Sequence, residues 1–155
     1  MSFKVMGLDP SLFENLFFQD EKTLKEAGVT RYAVDTNPGY PDRIEMRDLE
    51  VGETALLINF EHLPLDSPYR SCHAIFVKEG ATKQFEVEDE IPGVMKSRTL
   101  SVRAFDSEQM MIDARLVSGE DAAALFSKML SNDKVSYLHV HNAIRGCYSG
   151  LVIRA

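Results

Sequence analysis

Four histidines carry most of the chemistry this chain of 155 residues can offer. They are His62, His73, His139 and His141, and the first 60 residues hold neither His nor Cys. His139 and His141 form a His-x-His pair. On a strand both point to one face together with Tyr137, while Leu138 and Val140 point to the other. Two imidazoles on one strand face are the start of a transition-metal site, but they are only two ligands. A third would have to come from His62, Glu61, His73 or Cys147. The competing reading is a hydrogen-bonded cluster of polar side chains. On that balance the sequence assigns no metal ligand and no cofactor. It predicts no structural zinc either, because Cys72 and Cys147 stand in no zinc-ligand spacing.

Cys147 lies within nine positions of His139, His141 and Asn142. A thiol nucleophile needs a thiolate, a base within hydrogen-bond reach and a group that orients the base. Those residue types are present, although Gly146-Cys147-Tyr148 also opens a strand that can simply bury a small thiol. Cys72 alternates with Ala74 and Phe76 and reads as core. Arg70 and Arg145 stand beside the histidines, and an arginine so placed can hold a carboxylate or phosphate in bidentate fashion. The plain alternative is a surface ion pair. Glu61 and His62 adjoin, but on a strand they face opposite sides. The candidate catalytic residues are therefore His139, His141, Cys147 and His62. The candidate ligand contacts are Arg70, His73, Asn142 and Arg145.

These side chains need elements to position them, and the middle and end of the chain read as strands. Glu53 to His62 and Ser71 to Lys78 alternate, the first with Leu56, Ile58, Phe60 and His62 on one face, the second with His73, Ile75 and Val77. Further strands are expected at Phe3 to Leu8, Thr30 to Asp35, Arg43 to Leu49, Arg98 to Phe105, Met110 to Val117, Val135 to Val140 and Tyr148 to Arg154. Helical signals occupy Pro10 to Phe17, Asp20 to Ala27 with Gly28 as a stop, and Gly119 to Leu130 with Ser118 as a cap. Phe85 to Glu90 reads as an exposed acidic run. Strands that do not alternate with helices predict an α+β fold, with a mainly antiparallel bent sheet or partly closed barrel and a few helices. Leu138 and Val140 are expected in the core against Ile58 or Ile75. The segment His139 to Cys147 is expected to wall a pocket that Arg145 faces.

Composition narrows the function further. Lys and Arg number 17 against 24 Asp and Glu, a net charge of −7, which repels phosphate backbones and anionic lipid. Neither a nucleic-acid nor a membrane partner is expected. The N-terminus shows no export signal, and two cysteines are too few for a disulfide framework, so the expectation is a reduced, cytoplasmic protein. The length predicts a single domain over residues 1–155. No phosphate-binding glycine loop, dinucleotide fingerprint, nucleophile elbow or C-x-x-C occurs.

Three blocks resemble a known family. They are Leu56 to His62 with Ser67-Pro68-Tyr69-Arg70 and Ala74 to Val77; Leu100 to Asp106 with Met111 to Ala114; and Tyr137 to Ala143 with Arg145 to Tyr148 and the Arg154-Ala155 end. The chain resembles domain of unknown function 1203, a family of small bacterial proteins of similar length, over essentially its whole extent. That resemblance implies a bacterial protein and carries no activity and no site residues. The function expected from the residues is a small-molecule site, binding or catalytic, for an anionic ligand near the C-terminal strands. The alternative is a non-catalytic interaction or structural module, with a homodimer left open.

Overall fold

The computed structural model describes residues 1–64 and 66–155. Among the described residues nine strands form two antiparallel sheets. The strands are β1 (Phe3–Met6), β2 (Thr30–Ala33), β3 (Thr54–Leu63), β4 (Ser71–Lys78), β5 (Glu86–Glu88), β6 (Thr99–Phe105), β7 (Met111–Ser118), β8 (Tyr137–Asn142) and β9 (Tyr148–Arg154). The larger sheet has the order β5-β1-β9-β8-β6-β7 and the smaller β2-β3-β4. Helices α1 (Glu21–Glu26), α2 (Gly93–Lys96) and α3 (Ala122–Leu130) accompany them. The fold is α+β, as its sequence pattern predicts, and the two sheets do not close into a barrel. No helix among the described residues is long and apolar enough to cross a membrane.

Alternation decides which faces are buried. Leu100, Val102, Leu138, Val140 and Val152 occupy one face of the larger sheet and pack beneath Phe126 and Leu130 of α3. The chain turns into α3 through a 3-10 turn at Gly119–Asp121. A Cβ on Gly119 would stand 2.0 Å from the Met95 carbonyl oxygen, so only glycine fits this close approach. The opposite face of the larger sheet meets the small sheet. There Tyr148 joins Leu56, Ile58, Ile75 and Val77, with Phe13 and Ile44 closing the side.

Two expectations are corrected, and a third, the exposed acidic run at Phe85 to Glu90, holds and is extended. Leu138 and Val140 are fully buried, but Ile58 and Ile75 lie in the other core, across the larger sheet. Both faces of β8 are buried (pattern iBBBBi), so its apolar side is free to pack under a helix instead of against the small sheet. The segment Arg43 to Leu49 is no strand. The buried Asp42 carboxylate accepts from the backbone N–H groups of Ile44 (3.2 Å), Glu45 (2.6 Å) and Lys78 (2.7 Å), which takes donors a ladder would need. Only isolated bridges remain, Pro41 to Asp48 and Asp42 to Phe76. Phe85 to Glu90 in turn contains an edge strand, β5, whose Glu86 and Glu88 pair with Lys4 at 3.8 and 3.4 Å.

The N-terminal helical signals shrink to short pieces. Asp9 accepts from the Ser11 N–H and caps a 3-10 turn at Pro10–Leu12 only. Asp20 caps α1 by accepting from the Thr23 N–H at 2.7 Å.

Candidate functional site

The four histidines meet between the two sheets, at one end of the core that Tyr148 closes. His62 and His73 come from neighbouring strands of the small sheet, and His139 and His141 from β8 of the larger one. The strand pairing that delivers them is irregular at two points. The β3–β4 register shifts between Glu61 and Leu63, so His62 sits in a bulge, and the β8–β9 register shifts between Val140 and His141. Bulges redirect side chains beside functional sites.

The rings form a close group. His62 lies parallel to Tyr148 (centroids 5.0 Å, 7° between planes) and is stacked with His73 at 4.9 Å. His141 meets His62 edge to face at 4.9 Å and His73 at 5.1 Å. His139 closes the group against His62 at 5.3 Å. One ring nitrogen from each of His62, His73 and His141 falls within 4.8 Å of the other two.

The hydrogen bonds fix one tautomer outright. His141 Nδ1 lies 2.9 Å from the Gly146 carbonyl oxygen, and a carbonyl can only accept, so Nδ1 carries the proton. The ring is fully buried, and burial holds its pKa at about 3. In the neutral ring Nε2 is therefore a bare lone pair, and it is buried without a hydrogen-bond partner. His73 Nδ1 is likewise buried and unpartnered. His62 Nδ1 and His139 Nδ1 share one hydrogen bond at 3.3 Å, and His62 Nε2 lies 3.0 Å from the Ser71 hydroxyl. Burial, reinforced by the positive character of His73 and Arg103, lowers His62 to about 4. Burial, then His62 and Arg103, lowers His139 to about 3. Burial and Arg103 also lower His73. All four rings are neutral at pH 7, the protonation state a metal requires.

Arg103 is a site residue the sequence reading missed. On β6 it pairs directly with His139, and Ser101 pairs directly with His141, which puts both on the imidazole face. The half-buried guanidinium reaches Ser101 Oγ with its Nε at 3.4 Å. Among the described residues no carboxylate pairs with it or with any of the four histidines. Its only signal in the sequence is that Ser101 and Arg103 alternate with the apolar Leu100, Val102 and Ala104. The pairing with the histidines is set by β6–β8 register.

The remaining candidates are not brought into this group. Arg70 is exposed and forms an ion pair with Glu61, on the opposite face of β3 from His62. Arg145 is exposed in the β8–β9 connection, with no ion pair among the described residues. Cys72 is exposed, not core, because it shares the outward face of β4 with Ala74. Cys147 and Asn142 form a second cluster with Arg43, which the sequence reading did not single out. Arg43 is buried and donates from Nε to the Tyr148 carbonyl at 2.9 Å, from Nη1 to the Pro41 carbonyl, and from Nη2 to Cys147 Sγ at 3.2 Å. Asn142 Nδ2 lies 3.5 Å from the same sulfur. No histidine hydrogen-bonds Cys147, so the thiol has a buried cation beside it and no base within reach.

Comparison with known proteins identifies a family. The family described as protein of unknown function (DUF1203) matches residues 39–154, which include every histidine and Arg103. No curated protein matches the chain, and no solved structure does.

Proposed function

The chain belongs to that family of unknown function, and from this premise we propose that it is a metal-binding protein, with His62, His73 and His141 holding a divalent transition metal. The observation that carries this reading is the bare, buried Nε2 of His141, backed by the hydrogen bond from Nδ1 to Gly146. A ligating histidine typically donates its other ring N–H to a carbonyl or carboxylate, which fixes the tautomer and aims the lone pair. A structural histidine cluster, the alternative reading, would satisfy its buried nitrogens, since buried polar groups are nearly always hydrogen-bonded. Here two nitrogens, His73 Nδ1 and His141 Nε2, are left over.

Metal–nitrogen bonds of about 2.0–2.1 Å in tetrahedral geometry place ligand nitrogens about 3.3 Å apart. The three nitrogens lie within 4.8 Å of one another, so metal binding draws them together by up to about 1.5 Å. His62 exchanges its Ser71 contact for the metal, and His139 holds His62 from behind through Nδ1. Three nitrogen ligands with a fourth position open is the pattern of sites that bind a further ligand, not of closed structural ones. Imidazole donors suit Zn²⁺, Co²⁺, Ni²⁺, Cu²⁺ or Fe²⁺.

The test is to strip the protein with a chelator and titrate it with Co²⁺ while recording the visible spectrum and the bound metal. One Co²⁺ per chain with a tetrahedral-type spectrum is expected, and His141→Ala abolishes it while the far-ultraviolet circular dichroism stays native. No binding to a folded wild-type protein refutes the proposal.

A further inference from the structure

We propose that the open position of this metal takes the carboxylate of a small organic acid, which Arg103 also holds and whose apolar body lies along β7 at Leu116. The inference rests on the metal reading above and deepens it.

Charge is the first argument. The three ligand rings are neutral, so a divalent metal keeps both its charges. Arg103 adds a third from the same face, and no carboxylate among the described residues pairs with the histidines or with Arg103. Among the described residues the half-buried guanidinium has one side-chain partner, a hydroxyl at 3.4 Å, which leaves most of its fork of donors available. Metal and arginine side by side repel each other unless an anion lies between them. A carboxylate does this with one oxygen on the metal and the other on the guanidinium, the planar match that arginine favours.

The neighbouring strand supplies the second argument. Leu116 pairs directly with Ser101, and Ala114 with Arg103, so β7 continues the same face outward from the site. The small sheet pairs with neither β6 nor β7, and β7 is the edge strand of the larger sheet. Leu116 is 72% exposed on this face, and Ile112, at the shift in β6–β7 register, is 41% exposed. An apolar strip running away from a cation suits a molecule with a carboxylate at one end and hydrocarbon at the other. An inorganic anion would leave that strip without a role.

The experiment uses the Co²⁺-loaded protein, with acetate, hexanoate and inorganic phosphate titrated against the visible spectrum. Both carboxylates are expected to shift the spectrum, with hexanoate at least about fivefold tighter, since each buried methylene favours binding severalfold. Arg103→Ala should weaken both by about tenfold or more while Co²⁺ still loads. Leu116→Ser should remove the hexanoate advantage and leave acetate unchanged. Failure to load Co²⁺ sinks the metal reading and this proposal with it. Loading with no response to either carboxylate overturns this proposal alone. So does phosphate binding more tightly than hexanoate. A wild-type dimer that Leu116→Ser dissociates assigns the strip to a second copy and overturns the organic acid. The wild-type comparison of acetate with hexanoate needs no variant, so it stands even if Arg103→Ala fails to fold.

Discussion

The Gly146 carbonyl and His141 Nδ1 are 2.9 Å apart, and this single bond sets which nitrogen of His141 is free. The carbonyl is aimed by a tight connection in which the Gly146 N–H donates to the Asn142 carbonyl at 2.7 Å and Gly146 adopts φ +75°.

Gly146→Ala tests the support of that bond. Open space surrounds a Cβ here, so the cost is conformational: a left-handed backbone costs a non-glycine residue about 1–2 kcal/mol. A melting temperature lowered by several degrees is expected, together with weaker Co²⁺ binding. An alanine variant with unaltered metal affinity would detach Gly146 from the site.

The metal-free protein is expected to lose stability on acidification. Unfolded, each imidazole titrates near 6.5, whereas the folded protein holds His62 at about 4 and His139 and His141 at about 3. In that interval the unfolded chain binds more protons, so stability is full above about pH 7 and falls as pH drops from 6.5 toward 4. The groups facing these rings are Arg103, whose charge deepens the effect, and the neutral Tyr148 phenol. Urea midpoints at about pH 7.5 and about pH 5 measure it, and His139→Phe, which cannot titrate, should reduce the difference while His62 and His141 keep the rest.

Leu138→Ala should cost about 2–5 kcal/mol, the usual range for a buried leucine. Ile58→Ala should cost about as much, and the two should add to within about 0.5 kcal/mol because they lie in cores on opposite faces of the larger sheet. A coupling above that, read from denaturant midpoints of the double variant, would place them in contact.

Arg43→Met should destabilise the protein by about 1–3 kcal/mol for each carbonyl left without its donor, at Pro41 and Tyr148. Cys147→Ser keeps an acceptor for Arg43 and should be much milder. Equal losses in the two variants would show that the sulfur, not the backbone, is what Arg43 serves.

How far the chain speaks for itself can be judged from particular residues. Alternation is local, so Leu56, Ile58, Phe60 and His62 sort onto one face of β3, and His139 with His141 onto one face of β8, from the sequence alone. The α+β class follows from the same strand pattern. The Arg43 to Leu49 segment forms no strand because the Asp42 side chain captures the backbone N–H groups of Ile44 and Glu45 within it, while also holding Lys78, 36 residues away. Leu138 packs in a different core from Ile58 and Ile75, because alternation says which face is apolar and nothing about what covers it.

The sequence by itself determined the donor inventory and its faces: four imidazoles, each held on a strand, with apolar residues opposite. Only the tertiary structure decided which donors meet. Non-local strand pairing brought Arg103 beside His139, put His62 and His73 across from His141, and sent Arg70, Arg145 and Cys147 elsewhere. Side-chain direction repeats every two residues and can be read locally, whereas register and sheet-on-sheet packing depend on contacts between residues far apart in the chain.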